Sequence, residues 1–102
     1  FKKYRKFFVF GDMKELGDNE ESFHSEIGQY ADGKTDILFT IGKLAKNAQS
    51  NSNNFALSLH FNDNFSLLEK LTELLTDGDI ILIKGSRSMQ LDQLIDELKN
   101  VK

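Results

Sequence analysis

The sequence predicts an α/β domain in which about four strands, mostly parallel, alternate with four helices. Four short apolar runs recur along the 102 residues, each with the length and composition of a buried strand. Between these runs, apolar residues return every three or four positions, as on one face of an amphipathic helix. A β-α repeat of this kind forms a parallel sheet with right-handed crossovers and helices on both faces.

The first half of the chain contains two predicted strands, at residues 7–10 and 37–41, and each stops at a glycine. Asn19 or Ser22 can cap the helix between them, and Gly33 can end it. The apolar face of this helix is predicted to contain Phe23, Ile27, Tyr30 and Ala31. A short helix follows the second strand, with apolar positions at Leu44, Ala45 and Ala48.

The second half repeats this pattern after a polar segment, residues 47–54, that we expect to be an exposed loop. Strands are predicted at residues 55–61 and 80–83, and the solidly apolar second run is expected to be buried on both faces. Asp63 can cap the helix between them. The apolar face of that helix contains Leu67, Leu68, Leu71, Leu74 and Leu75. Phe55, Phe61 and Phe65 are expected in or near the core.

A fourth helix is predicted after the last strand, with Ser86 or Ser88 as its cap. The residues of its apolar face are Leu91, Leu94, Ile95 and Leu98.

The composition argues against several classes of function. The formal net charge of -3 argues against general nucleic-acid binding. No cysteine is present, which excludes disulfides and thiolate metal sites and fits a cytoplasmic protein. No apolar run approaches the ~20 residues of a membrane span. Neither a Walker A loop nor a dinucleotide-binding glycine motif follows any predicted strand, and His60 has no second ligand at metal-binding spacing.

Charged residues follow the predicted strands: Asp12 the first, Lys43 the second, Lys84 and Arg87 the last. Ligands of parallel α/β sheets bind beyond the carboxyl ends of the strands. The turn from Lys84 to Arg87 also leads into a predicted helix, and such a turn suits a phosphate or a carboxylate. A purely structural turn is an equally good interpretation of these four residues.

The loop after the first strand offers further candidates. Asp12 and Glu15 could bind an ammonium group or a metal, or could merely cap a turn, which is the commoner role of an aspartate beside a glycine. His24 lies near the start of a predicted helix, where its protonated form is disfavoured. We therefore expect a neutral, hydrogen-bonding histidine.

Two segments resemble a known family. Residues 10–17, Phe-Gly-Asp-Met-Lys-Glu-Leu-Gly, followed by His24 and Gly28, resemble the LGDMxELG…H…G signature of the MurF branch of the Mur ligases. Residues 79–89 resemble the DxvLvKGSRxm segment of the same enzymes, and residues 39–42 match a strand that ends in Val-Gly. The matches run in order over nearly the whole chain.

The resemblance implies that residues 1–102 are part of the C-terminal domain of a three-domain ligase, with a Rossmann-like fold. In this family ATP activates a carboxylate of the UDP-MurNAc-tripeptide, and the amine of D-alanyl-D-alanine attacks it. By this resemblance, Asp12, Lys84, Ser86 and Arg87 are expected to help to bind substrate, with Glu15 and His24 as second choices.

The family pattern is incomplete in this sequence. Its first strand, its Tyr-Asn-Ala-Asn-Pro loop, its phosphate loop and the carbamylated lysine that supports magnesium are absent. ATP and Mg²⁺ are therefore expected to bind mainly to a central domain outside this chain, and the chain alone is expected to be inactive. A missing strand would also leave one edge of the sheet exposed.

Two other classes of function remain open from the residues. Asp12 and Lys84 at strand ends would suit a receiver-like signalling module, but that module needs an acceptor aspartate after its middle strand. The chain has Thr40, Ile41 and Gly42 at that place. The third interpretation is an α/β interaction domain without a ligand.

Overall fold

The computed structural model describes residues 4–14, 19–49, 54–86, 89–91, 93 and 96. Its elements are, in order, β1 (Lys6–Gly11), α1 (Glu20–Ala31), β2 (Ile37–Ile41), a 3₁₀ helix (Ala45–Ala48), β3 (Leu57–Phe61), α2 (Asn64–Leu74) and β4 (Ile80–Lys84). The strands form one parallel sheet in the order β3-β2-β1-β4. The predicted α/β class and parallel sheet are thereby confirmed.

The core lies on both faces of the sheet because successive side chains of a strand point to opposite sides. Phe7 and Val9 of β1 belong to a cluster that includes Leu67 and Leu71 of α2. Phe8 and Phe10 belong to a second cluster, whose other buried members are Ala31, Leu38, Ala45 and Ala48. Helix α2 therefore covers one face, and α1 with the 3₁₀ helix covers the other. This confirms the prediction of helices on both sides.

Strand β4 corrects the prediction that residues 80–83 are buried on both faces. It is an edge strand paired with β1, and Ile80 and Leu82 are 52% and 56% exposed. Ile81 and Ile83, which point to the α2 side, pack against the first cluster. A solidly apolar run has the same appearance whether one or both of its faces are covered, so the sequence could not separate the two cases.

Helix α1 confirms part of its predicted apolar face, because Ala31 is buried and Ile27 packs against the second cluster. The most buried side of the helix is shifted by one residue, however. The residues that it buries are His24, Gly28 and Ala31, whereas Tyr30 is 69% exposed. The close packing of α1 on the 3₁₀ helix explains the shift, because a Cβ at Gly28 would overlap the backbone of Ala48. His24 and Gly28, which lie on this packed side, are not apolar residues, so a search for apolar periodicity does not find them.

Helix α2 follows its prediction at both the cap and the core. Asp63 accepts a hydrogen bond from the Ser66 N–H at 2.7 Å, and Leu67 and Leu71 are fully buried. Phe65, however, is 73% exposed, so its placement near the core was wrong. It occupies the first turn, on the side of α2 away from Leu67.

Three smaller predictions have mixed outcomes. Strand β3 begins at Leu57, two residues later than predicted. Ala48 is buried, which confirms its place on the apolar side of the short helix and contradicts its place in the exposed loop. Helix α1 has no side-chain hydrogen bond at its cap, Asn19. In the predicted last helix, Leu91 is buried, while Leu94, Ile95 and Leu98 lie outside the described residues.

Candidate functional site

The loops that follow β1 and β4 are joined directly to each other. The Ser86 N–H donates to the Asp12 carbonyl oxygen at 2.9 Å, and the Lys14 N–H donates to Ser86 Oγ at 2.7 Å. We call residues 12–14, 42–45 and 84–86 the carboxyl edge, because they follow or end β1, β2 and β4. Two separate sequence segments thus form one surface at this edge.

Asp12 ties the edge to the end of β2. Its side chain is buried, and its Oδ1 atom accepts a hydrogen bond from the Ala45 N–H at 2.7 Å. Gly42 makes room for it: the glycine has φ of +104°, and a Cβ there would overlap the Asp12 carboxylate. Of the roles left open for Asp12, turn capping is therefore the one present in this structure.

His24 supports the loop after β1 from beneath. The Met13 N–H donates to His24 Nε2 at 2.9 Å, so Nε2 is the acceptor and the proton lies on Nδ1. Nδ1 is 2.5 Å from the Glu20 carbonyl oxygen, to which it donates. The predicted neutral, hydrogen-bonding role is confirmed. Because the ring is fully buried with both nitrogens occupied, His24 positions Met13 and does not present an atom to a ligand.

Exposed lysines border the carboxyl edge. Lys14, Lys43 and Lys84 are exposed, while the nearby carboxylate of Asp12 is buried. Neighbouring strands lie only about 4.8 Å apart, so these charges share one region of the sheet. The surface is therefore suited to an anionic group. Arg87 and Glu15, the two other predicted site residues at this edge, lie outside the described residues.

One polar pair near this edge had no signal in the sequence. Thr40 is fully buried, and its Oγ1 is 2.8 Å from His60 Nδ1 across the β2–β3 pair. Partial burial, with a contribution from Lys46, lowers the pKa of His60, while Asp12 opposes this effect. His60 is therefore mainly neutral at pH 7. Only the strand register, which is not a local property, brings the two residues together.

The described residues do not offer a site for a bound metal. Among them there is no group of three or more histidine, cysteine, aspartate or glutamate side chains that could hold one. These residues therefore provide no preformed set of protein ligands for Mg²⁺. Within the same ranges, no helix has the length and apolar content that crossing a membrane requires.

These observations define the chain as an α/β domain in which exposed lysines border the carboxyl ends of the parallel strands. The sequence profile of the family described as "Mur ligase, glutamate ligase domain" matches residues 1–87. The chain therefore belongs to the Mur ligase family, as the resemblance predicted.

Relatives and solved structures agree with this assignment. UDP-N-acetylmuramoyl-tripeptide–D-alanyl-D-alanine ligase of Bacillus subtilis is 39% identical over 99 residues, which are 92% of this chain and 21% of that protein. The enzyme of the same name from Escherichia coli is 31% identical, over 89% of this chain and 20% of that protein. This chain thus spans about a fifth of the length of these relatives.

The fold is also that of solved MurF structures. MurF ligase of Thermotoga maritima, crystallised in complex with ADP, has a TM-score of 0.77 and 26% identity, over 92% of this chain and 21% of that one. MurF of Acinetobacter baumannii has a TM-score of 0.78 over 95% of this chain and 22% of that one; at 24% identity, this match supports the fold alone.

Proposed function

We propose that this chain is the C-terminal domain, complete or partial, of a UDP-N-acetylmuramoyl-tripeptide–D-alanyl-D-alanine ligase, and that its carboxyl edge helps to bind D-alanyl-D-alanine. The observation that carries the proposal is the junction at Ser86. The two segments that resemble the MurF signature, far apart in sequence, are hydrogen-bonded to each other there. This junction supports a shared binding role for the two segments.

The chemistry of the dipeptide fits this edge. D-alanyl-D-alanine has a carboxylate at one end and an amine at the other. Lys84 and, by proposal, Arg87 would bind the carboxylate, since charge-assisted hydrogen bonds are the stronger ones. The Ser86 hydroxyl accepts from Lys14 N–H and keeps its own proton to donate to a ligand.

The remaining candidates have indirect roles in this proposal. Asp12 and His24 hold the backbone of the β1 loop through Ala45 and Met13 respectively, so we propose them as positioning residues. Glu15 stays a proposed contact for the substrate amine, because a carboxylate in this loop would complement an ammonium group.

The reaction belongs to the longer parent protein. There ATP would phosphorylate the tripeptide carboxylate, with release of ADP, and the dipeptide amine would displace phosphate to form an amide bond. ATP and Mg²⁺ would bind mainly to other domains, so this chain alone would be inactive. The product is a peptidoglycan precursor, which places the parent in cell-wall synthesis, and hence in cell shape and division. Its use of ATP favours the cytoplasm.

The two alternatives lack support. A receiver-like module needs an accessible acceptor aspartate after its middle strand, and Thr40 near the end of β2 is fully buried. The similarity to MurF ligases over most of the chain also argues against an interaction domain without a ligand.

Steady-state kinetics of the full-length parent tests the proposal. Lys84→Ala should lower kcat/KM for D-alanyl-D-alanine about ten- to a hundredfold, the usual effect of losing one charge-assisted contact. Lys70→Ala, on α2 and paired with Glu73, is the matched control and should leave it unchanged. Equal kinetics for Lys84→Ala and Lys70→Ala would refute the role of this edge.

A further inference from the structure

The side-chain amide of Asn64 joins the start of α2 to the chain that follows β4. Asn64 is the first residue of α2, and its Nδ2 atom donates to the Met89 carbonyl oxygen at 3.0 Å. Only the nitrogen of the amide can donate to a carbonyl, so this contact fixes the orientation of the amide. Asn64 Oδ1 therefore faces away from Met89.

The oxygen of this amide has no partner within the described part of the fold. Asn64 Oδ1 is buried, yet it accepts no hydrogen bond from any described residue. A buried acceptor without a donor costs about as much free energy as one ordinary hydrogen bond contributes. The net stabilisation from Asn64 is therefore expected to be small. Its contact with Met89 is better explained by the position that it gives to the chain after β4.

Met89 is linked to the carboxyl edge through Ser86. The Met89 N–H donates to the Ser86 carbonyl oxygen at 3.0 Å, so the main chain is held at both residues. Ser86 donates its own N–H to the Asp12 carbonyl oxygen, and its hydroxyl accepts from the Lys14 N–H. A continuous series of hydrogen bonds thus runs from α2, through Met89 and Ser86, to the loop after β1.

The residues just after Met89 show that this part of the chain is held in a defined conformation. Gln90 has φ of +55°, in the left-handed region that side chains other than glycine rarely adopt. Leu91 is buried against the ends of β1 and β4, where a Cβ at Gly11 or Gly85 would lie within 3 Å of it. A residue keeps such a conformation only where its surroundings impose it. Here the surroundings are the Asn64–Met89 contact on one side and the buried Leu91 on the other.

We propose that Asn64 is a positioning residue for the dipeptide site: by holding Met89, it sets where Ser86 presents its hydroxyl to D-alanyl-D-alanine. This inference rests on the proposed function of the carboxyl edge. Asn64 does not itself contact the substrate, because Nδ2 is bonded to Met89 and Oδ1 is buried. Its influence is therefore confined to the substrate that Ser86 meets, and binding of ATP, proposed to occur mainly in other domains, should not depend on it.

Steady-state kinetics of the full-length parent tests this role with two substitutions. Asn64→Asp keeps the size of the side chain but replaces the donor with a carboxylate oxygen, and Asn64→Leu removes the amide altogether. Both should raise the KM for D-alanyl-D-alanine about three- to tenfold, the change that corresponds to one ordinary hydrogen bond, and leave the KM for ATP unchanged. A role in the fold alone would lower the active fraction, and hence kcat, without this selective change in KM.

Thermal unfolding and a matched control complete this test. Asn64→Leu should leave the melting temperature nearly unchanged, because it exchanges one unpartnered acceptor, Asn64 Oδ1, for another, the Met89 carbonyl oxygen. Gln49→Glu is the control: the Gln49 amide donates to Ser58 Oγ at 2.9 Å near the start of β3, away from the carboxyl edge. It makes the same change from amide to carboxylate and should keep the parent KM for the dipeptide. Equal KM values in Asn64→Asp and Gln49→Glu would overturn the inference.

Hydrogen exchange separates this inference from the proposed function. Peptides from residues 84–91 of the full-length parent should exchange faster in both Asn64 variants, since the bonds at Met89 and Ser86 open more often without their anchor. Unchanged exchange in these peptides would overturn the inference whatever the kinetics. If Lys84→Ala lowers kcat/KM for the dipeptide while both Asn64 variants keep the parent KM, the edge binds the dipeptide and Asn64 does not position it. If Lys84→Ala also has no effect, the proposed function is wrong, and the positioning role with it.

Discussion

The two ends of the sheet are held together by different chemistry. At the amino end, Arg5 donates to Asp79 at 2.7 Å and to the Leu74 carbonyl oxygen at 2.6 Å, so its charge is used within the fold. At the carboxyl edge, backbone N–H groups donate to Asp12, His24 and Ser86. At this edge, side-chain atoms that accept hydrogen bonds have the stabilising role that the Arg5–Asp79 ion pair has at the amino end.

This difference affects how the charges at the two ends are used: Arg5 is paired, whereas the lysines of the carboxyl edge form no ion pair with a described residue. The ion pairs between described residues are Arg5–Asp79 and Lys70–Glu73, and neither lies at the carboxyl edge. A loop fixed by buried acceptors keeps its shape without consuming the exposed lysines beside it. The end of the sheet that is proposed to bind substrate thus combines a fixed backbone with exposed cations that form no ion pair with a described residue.

The largest expected effect comes from the core that both ends share. Leu71→Ala should lower the free energy of unfolding by about 2–5 kcal/mol, because Leu71 is fully buried under the sheet. Denaturation, monitored by hydrogen exchange of the β1 amides, would measure this loss of stability. Phe65→Ala, in the same helix but exposed, is the control and should change stability by less than about 0.5 kcal/mol. Similar losses for both would mean that α2 faces the sheet differently.

The next effect tests the rigidity of the carboxyl edge. Gly42→Ala should cost about 1–3 kcal/mol, because alanine disfavours a φ of +104° and its Cβ would displace the Asp12 carboxylate from Ala45. Gly33→Ala is a matched control: its φ is also positive, but nothing lies within 4 Å of a Cβ there. The difference between the two variants isolates the contact with Asp12. Equal losses of stability in the two variants would mean that backbone strain alone is responsible and that the contact between Asp12 and Ala45 contributes nothing.

Local patterns predicted the elements well because each depends on neighbouring residues. The strands around Val9 and Phe39 follow from contiguous apolar runs, and the Asp63 cap follows from a side chain that reaches its own helix. Part of the packed face of α1 was not predicted, because His24 and Gly28, which are not apolar residues, make the contact. The edge position of β4 was not predicted either, because strand order depends on pairing between distant segments.

The sequence predicted where the residues of the candidate site lie better than it predicted what each of them contacts. Asp12, Lys84 and Ser86 do meet at one edge, since the ends of parallel strands must. Whether a carboxylate faces a ligand or a backbone N–H depends on where the next loop passes. For Asp12 that loop contains Gly42 and Ala45, thirty or more residues away in sequence, so its capping contact had no local signal.

A smaller effect is expected from the junction between the β1 and β4 loops. Ser86→Ala removes the acceptor of the Lys14 N–H and should cost about 1 kcal/mol, the net value of one ordinary hydrogen bond. Faster hydrogen exchange at Lys14 would accompany it. Ser58→Ala is the control. It removes the β3 hydroxyl that accepts a hydrogen bond from the Gln49 side chain, and it should leave exchange at Lys14 unchanged. Unchanged exchange in Ser86→Ala would show that the two loops hold their positions independently.

The amino end should instead respond to pH. Hydrogen bonds from Arg5 lower the pKa of Asp79 from 3.8 to about 2. The ionised form is thus favoured by folding, and its contribution is complete above the unfolded pKa and is lost as pH falls from about 4 towards 2. Asp79→Asn should remove this part of the acid dependence of stability, while Asp77→Asn, in the adjacent turn, should retain it. Identical acid profiles for Asp79→Asn and wild type would contradict the difference between the two ends.

The smallest expected effect on stability is the one that most sharply separates the two ends. Lys84→Ala should change the free energy of unfolding by less than about 0.5 kcal/mol, because the side chain is exposed and ends an edge strand. Arg5→Ala should destabilise more, since it leaves the nearly buried Asp79 carboxylate and the Leu74 carbonyl without their donor. Thermal unfolding of both variants, measured beside ligation kinetics, makes the comparison. If Lys84→Ala loses as much stability as Arg5→Ala, Lys84 stabilises the fold. Its charge would then not be available to bind a ligand, and the proposed difference between the two ends would be wrong.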